Sequence, residues 1–334
     1  MSTHHVPETE ERRAATGRAH GKVIVLGEHA VVYGAPALAL PVPALSCRAT
    51  VRLRGRPEPG PLVIRRAGPS SDGPAESAEE EAPEELRLLV DAFARRAGLA
   101  EAPDVEVLIE SRVPPARGLG SSAATARALV HALDGLFGTG LSDRELFDLV
   151  QVSEQSAHGL ASGIDALATG SAGLVLLANG RPSAPPVGAE CQVVVADSGS
   201  GPGTRRAVAM LRDAFTRAPA RRAEFLDRSA ELATAALGDL AHGRLPELGR
   251  RLTDGHRLLA GLGLTTKRTD ALARSALDAG ALGAKMSGGG LGGCVIALAA
   301  TPREAEAVAG LLAREHGVPT WTVPVTREAG HDRI

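Results

Sequence analysis

Residues 113–133 read VPPARGLGSSAATARALVHAL, and the spacing of glycine and hydroxyl there poses the first chemical question. Gly118 and Gly120 let the backbone turn inward without Cβ clashes. The helix that follows presents unpaired N–H groups and the positive end of its dipole to whatever lies ahead, which suits an anion such as phosphate. Ser121 or Ser122 also fits the plainer role of helix cap, so this loop alone leaves both readings open. Two carboxylates stand out further on: Glu154, late in a helical segment, and Asp165, in GLASGIDALATG, each flanked by small and apolar residues. A carboxylate so placed needs a partner, or else serves as a cap or surface acid. Beside a phosphate loop, one carboxylate for Mg²⁺ and one for an acceptor hydroxyl are what phosphoryl transfer requires.

Of the 37 basic residues only Lys22, Lys267 and Lys285 are lysines, so a lysine marks a place where a compact ammonium is wanted over a guanidinium. His29 stands beside Glu28 in GEHAVVYG, with the sole tyrosine, Tyr33, four residues on, and by itself reads first as a generic loop histidine, with a ligand-facing role the alternative. A further glycine-rich stretch, SGGGLGGC from Ser287, is either a tight connection into a strand or part of a site. No GxxxxGK[ST] occurs, and GSGPG at 199–203 lacks GxGxxG spacing, so the Walker and Rossmann readings fail. No HExxH or histidine-rich pattern argues for a transition metal.

The elements that must position these groups follow from hydrophobic periodicity. GKVIVLGE reads as a short buried strand behind a frayed polar start, and LSCRATVRLR as a strand with one wet face. GEHAVVYGAPALALPVPAL between them is apolar but broken by Gly and Pro, hence loop and short extended pieces. Residues 66–85, rich in Pro, Ser and acid, read as a surface insertion. Then come a helix (PEELRLLVDAFARRAGL), a strand (PDVEVLIES), the glycine loop with its helix, and a capped helix from Ser142. SAGLVLLANG and CQVVVADSG are strands around GRPSAPPVGAE, where the domain boundary is placed, giving 1–187 and 188–334. The second part holds four helical segments between Thr204 and Gly280, the Gly-rich stretch, a helix from Pro302 and a last strand, PTWTVPV: an α+β pattern and no regular βαβ array.

Composition narrows the function classes. With 334 residues two domains are expected, and a formal charge of −2 provides no chain-wide field for nucleic acid or an anionic membrane. Aromatics at 2% remove the stacking platforms of a single-strand binder. Cys47, Cys191 and Cys294 are far apart and outside any CxxC, and no apolar run reaches about 18 residues, so a reducing, cytoplasmic setting is expected.

Taken together, the glycine-rich segments resemble the GHMP kinase superfamily. GKVIVLGEHAVVYGAPALALPV is similar to its first motif, PPARGLGSSAATA to its second, and GALGAKMSGGGLGGCVIAL to its third. EQSAHGLASGIDALATG and VADSGSGPGTRRAV resemble its acidic and Asp-Ser/Thr-Gly…Thr segments, in the same order. The likeness runs from about Arg18 to the third motif and beyond, apart from 66–85; one departure is GRAHGK, where many relatives have Ala-Pro before Gly-Lys.

The resemblance implies a two-domain α+β fold, with a ribosomal S5 domain 2-like N-terminal domain, a ferredoxin-like C-terminal domain, and the active site between them. It implies ATP cradled by Ala116, Arg117, Gly118, Leu119, Gly120, Ser121 and Ser122, and Mg²⁺ held by Ser122 and Glu154. Asp165 would take the acceptor's proton, Lys22 would sit beside it, and Glu28, His29 and Thr204 would contact the acceptor. Galactokinases continue Gly-Glu-His with Thr-Asp-Tyr; here Ala30, Val31 and Val32 follow, an apolar wall suited to a methyl-branched hydroxy acid, mevalonate, phosphorylated on its 5-hydroxyl. A phosphorylated acceptor is the alternative, for which Arg205 and Arg206 stand near. A silent ATP-sensing relative is disfavoured because base, lysine and phosphate loop are all present. No nucleic-acid or membrane partner is expected, and a homodimer is implied only by relatives.

Overall fold

The computed structural model describes residues 14–54, 62–67, 79–199, 201 and 204–327, with the backbone alone at 67, 79 and 204–205. In chain order the first part comprises β1 (Ala14–Leu26), β2 (Ala37–Leu53), β3 (Val63–Ala67), β4 (Glu79–Glu81), α1 (Glu84–Arg96) and β5 (Val105–Ser111). It continues with α2 (Ser121–Phe137), α3 (Asp143–His158), α4 (Ile164–Ala168), β6 (Val175–Ala178) and β7 (Arg181–Ser183). These strands form one seven-stranded sheet in the order β4-β3-β5-β2-β6-β7, with β1 also paired to β2.

Both first strands are longer than the sequence pattern suggests. β1 takes in Ala14–His20, read above as part of a frayed start, while residues 1–13 lie outside the described part. β2 runs unbroken through Pro41 and Pro43. The reason is its neighbours: β6 pairs with residues 37–39 and β5 with 47–53, so the stretch between them has β1 on one side and no strand on the other. A proline's missing N–H is tolerated in such a half-paired stretch, and the β1–β2 register shifts there, between His20 and Gly21. Of the 66–85 insertion, 68–78 lie outside the described residues, and its flanks pair as β3 and β4.

α2 buries Ala123, Ala124, Ala126, Ala128 and Ala132, small residues that let it lie close against β1 and β2. α3 starts with a capping box between Ser142 and Glu145 and buries Leu146, Leu149, Val150, Ser153, Glu154 and Ala157, the i, i+3, i+4, i+7 stripe of one helical face.

The second part comprises β8 (Cys191–Asp197), α5 (Thr204–Arg217), α6 (Pro219–Ala241), α7 (Leu245–Gly261), α8 (Lys267–Asp278), β9 (Gly283–Ser287), β10 (Cys294–Ala299), α9 (Pro302–His316) and β11 (Thr320–Val325). Its antiparallel sheet runs β11-β8-β10-β9, the interleaved order of a ferredoxin-like unit. Gly288, Gly290 and Gly293 do fall at GxGxxG spacing, but they join two antiparallel strands, with no helix following the turn, so a dinucleotide fingerprint is excluded by context. One hydrophobic cluster spans both sheets, from Val51 and Leu129 to Val195 and Ile296, and a second lies beneath α8 and α9. Among the described residues no helix is long and apolar enough to cross a membrane.

Candidate active site

Lys22 occupies β1, and its backbone N–H donates to Leu119 O at 2.9 Å, which pins the glycine loop to the strand. Its side chain is almost wholly buried, and the ammonium donates to Gly118 O at 3.1 Å and lies 3.0 Å from Asp165 Oδ2. Asp165 sits in the first turn of α4, its side chain a third exposed to the cleft. The compact ammonium expected at Lys22 thus bridges the loop and the carboxylate.

The loop itself is held by close backbone approach. Gly120 is the N-cap of α2 in the left-handed region (φ 75°), and no side chain caps the helix. The capping role considered for Ser121 and Ser122 is therefore incorrect: the left-handed glycine does the turning, and both serines lie inside the first turn with the helix N-terminus open. A Cβ on Gly118 (φ 73°) would stand 3.1 Å from Gly288 Cα and from Ser287 O, because the two glycine-rich loops touch backbone to backbone. Ala116 is exposed with φ 58°, Leu119 is buried, and Arg117 pairs with Asp197 at 3.1 Å and donates to Gly199 O at 3.1 Å, bringing the end of β8 beside the loop.

Glu154 falls on the buried stripe of α3, and its Oε1 is buried with no hydrogen-bond partner among the described residues. Burial, then the charge of Asp165, pushes its carboxyl up to about 7, against the pull of Ser122 and Lys22. Ser122 Oγ lies 3.2 Å from His158 Nε2, and that ring nitrogen lies 3.8 Å from Glu154 Oε2. A buried carboxylate oxygen with unused acceptor capacity next to a hydroxyl is a hard-oxygen donor pair, which fits a magnesium ion carried in with phosphates. Among the described residues no group of three or more His, Cys, Asp or Glu is arranged to hold a metal unaided.

On the far side of the cleft, Glu28 is buried and paired with the wholly buried Lys285, which also donates to Met286 O at 2.7 Å. His29, in the left-handed region at φ 60°, has Nε2 3.0 Å from Gly289 O. Burial, with Lys285 adding, brings its ring down to about 4, so it is a neutral hydrogen-bonding group at ordinary pH. Lys22, His29, Gly118, Glu154, Asp165 and Gly289 line one cleft, closed on its apolar side by Val31 and Val32 and by Val208, Leu211 and Phe215 of α5, with Arg212 at that wall. Thr204 opens α5, but its side chain lies outside the described residues. The sequence reading missed His158, although an i, i+4 spacing from Glu154 marks it; Asp197 and the Glu28–Lys285 pair carry no local signal.

Residues 86–173 match the GHMP kinases N terminal domain and residues 236–318 the GHMP kinases C terminal domain. The chain is 32% identical to the mevalonate kinase of Pyrococcus horikoshii over 330 residues, covering 93% of this chain and 95% of that one. L. major mevalonate kinase, solved in complex with R-mevalonate, superposes with a TM-score of 0.74 at 23% identity, over 96% of this chain and 99% of that chain. Streptococcus pneumoniae phosphomevalonate kinase, in complex with phosphomevalonate and AMPPNP, also gives 0.74, at 20% identity over 93% of this chain and 99% of that chain. Equal scores for kinases of two acceptors show that the fold alone does not choose between them. The chain belongs to the GHMP kinase family, small-molecule kinases that use ATP. Within that family it stands with the mevalonate kinases.

Proposed function

We propose that the chain transfers the γ-phosphoryl group of ATP to the 5-hydroxyl of (R)-mevalonate, giving 5-phosphomevalonate and ADP. The observation that carries this reading is the Lys22 ammonium, 3.0 Å from Asp165 and hydrogen-bonded to Gly118 O, inside a cleft with one apolar wall. Asp165 accepts the hydroxyl proton as the oxygen forms its bond to the γ-phosphorus and the bond to the β–γ bridging oxygen breaks. Lys22 keeps that carboxylate ionised and offsets charge on the phosphoryl oxygens.

The backbone from Ala116 to Ser122, with the open N-terminus of α2, holds the phosphates, and the facing loop from Gly288 limits their movement. Ser122 and Glu154 hold Mg²⁺, which when bound neutralises phosphate charge. Val31, Val32 and Leu211 take the methyl-branched carbon skeleton, and His29 orients the acceptor. Glu28 serves the acceptor indirectly, because its carboxylate is committed to Lys285. We assign 1–187 to the nucleotide-binding domain and 188–334 to the second domain, since β7 ends at Ser183 and β8 opens a separate sheet at Cys191. Positioning and electrostatics supply most of the rate.

The test is ADP release with ATP, Mg²⁺ and either (R)-mevalonate or 5-phosphomevalonate, with Asp165→Asn as control. Turnover on mevalonate that falls by roughly 10³-fold or more in the variant, while ATP still binds, is expected from loss of an essential base. Preference for 5-phosphomevalonate overturns the acceptor, and unchanged turnover in the variant removes Asp165 as base.

A further inference from the structure

β9 ends its sheet, so each of its peptide groups has β10 on one side only. At Met286 the outward peptide groups are nonetheless both engaged, and by side chains. The Met286 N–H donates to His256 Nδ1 at 3.1 Å, and its carbonyl accepts from Lys285 Nζ at 2.7 Å. Because Nδ1 accepts, the ring proton belongs to Nε2, which lies 3.2 Å from Asp270 Oδ1 on α8. His256 thus ties α7 to the outer edge of the strand that carries Lys285, with Asp270 of α8 beside its other ring nitrogen. That lysine in turn pairs with Glu28, next to His29, whose ring meets Gly289 beyond the same strand.

We propose that His256 is a positioning residue for the acceptor side of the cleft. By gripping the Met286 peptide from outside the sheet it sets where the Lys285 ammonium stands, and so fixes the Glu28–His29 turn that faces the acceptor. The proposal rests on the reading above that this turn belongs to the acceptor's side. The charged groups facing the ring are Asp270 from α8, Lys285 from β9 and Arg257 on α7 itself. Burial lowers the ring's pKa first, Lys285 and Arg257 lower it further, and Asp270 opposes them. The neutral ring that the Met286 contact needs is therefore the favoured form near neutral pH. Protonation of Nδ1 in acid removes the acceptor and releases the strand edge.

Two polar variants of similar bulk separate positioning from bulk stability. In His256→Asn the side-chain oxygen stands near the place of Nδ1; in His256→Gln the longer side chain puts its amide NH2 near the place of Nε2, donating to Asp270, and leaves the Met286 N–H without its acceptor. Losing a buried N–H acceptor is expected to raise KM for mevalonate about tenfold in His256→Gln, with KM for ATP and kcat within about twofold of wild type. His256→Asn restores that KM and, lacking a titrating ring, flattens the acid fall in kcat/KM for mevalonate expected of the wild type. Amide hydrogen exchange at Met286 is read in the same proteins without substrate and quickens in His256→Gln only. An unchanged mevalonate KM in His256→Gln, a rise in both KM values together, or Asn behaving like Gln overturns the proposal. Wild-type protein inactive on mevalonate but with Met286 released in His256→Gln indicts the acceptor assignment and leaves the His256–Met286 contact standing.

Discussion

Glu154 shows how one residue is both misplaced for stability and well placed for chemistry. It occupies an apolar position of α3, and burial with Asp165 nearby raises its carboxyl from 4.5 to about 7. The sign follows directly: between those two values the folded chain holds a proton that the unfolded chain has released, so stability falls as pH rises through that window. The nucleotide-free protein is expected to lose thermal stability between pH 5 and pH 8, and Glu154→Gln to remove much of that slope and raise Tm by roughly 2–5 °C at pH 8. On the proposed role of Glu154 at Mg²⁺, the same substitution is expected to abolish Mg²⁺-dependent turnover. Thermal scans across pH decide it: a Glu154→Gln protein with the wild-type slope shows that the buried carboxylate is not the source. At this scale the sequence was informative where composition was unusual. Lys22 and Lys285, two of three lysines in an arginine-rich chain, are both buried and paired with carboxylates. Their partners lie 143 and 257 residues away in the chain, and no local pattern names them.

Elements place these residues, and here glycine geometry decides more than helix or strand propensity. Gly118 sits at φ 73°, and its would-be Cβ faces only backbone, Gly288 Cα and Ser287 O at 3.1 Å. Neither neighbour is the movable end of a side chain. Gly118→Ala therefore meets both a left-handed penalty of roughly 1–2 kcal/mol and a contact the loops relieve only by parting. KM for ATP is expected to rise about tenfold or more with the fold retained, read from initial rates at saturating mevalonate and from far-ultraviolet circular dichroism. An unchanged KM for ATP shows that the loops do not need to touch. The helices were legible because their periodicity and caps are local, as Ser142 and Glu145 demonstrate at α3. β2 was not, because Pro41 and Pro43 read as breaks unless one knows that β5 and β6 leave that stretch uncovered. The same limit applied to Ser121 and Ser122: a serine before a helical run signals a cap, but a left-handed glycine in front of it had already made the turn.

At the scale of the whole molecule, the two sheets are separate in topology but not in packing. A single apolar cluster contains Leu26, Leu40 and Val51 from the first sheet, Val193, Val195 and Val323 from the second, and Leu240 and Leu252 from the helices between. Ser287 adds a polar clip, its hydroxyl donating to Ile24 O and accepting from Ile24 N, both at 2.8 Å, so that β9 is fastened to β1 one residue beyond Met286. A cleft with such a shared floor holds its catalytic groups at fixed spacing, as a reaction that depends on positioning demands. Shared apolar surface also couples the stabilities of the halves, because unfolding either one exposes the other's core side chains. Trp321, the only tryptophan, sits in β11 and packs against this cluster, so its fluorescence reports on the second half, while far-ultraviolet circular dichroism reports on both. The two signals are expected to change together in a urea titration, with one midpoint and one slope. Two midpoints, with tryptophan emission shifting apart from the dichroism, show instead that the sheets unfold independently and that the shared cluster contributes little to their coupling.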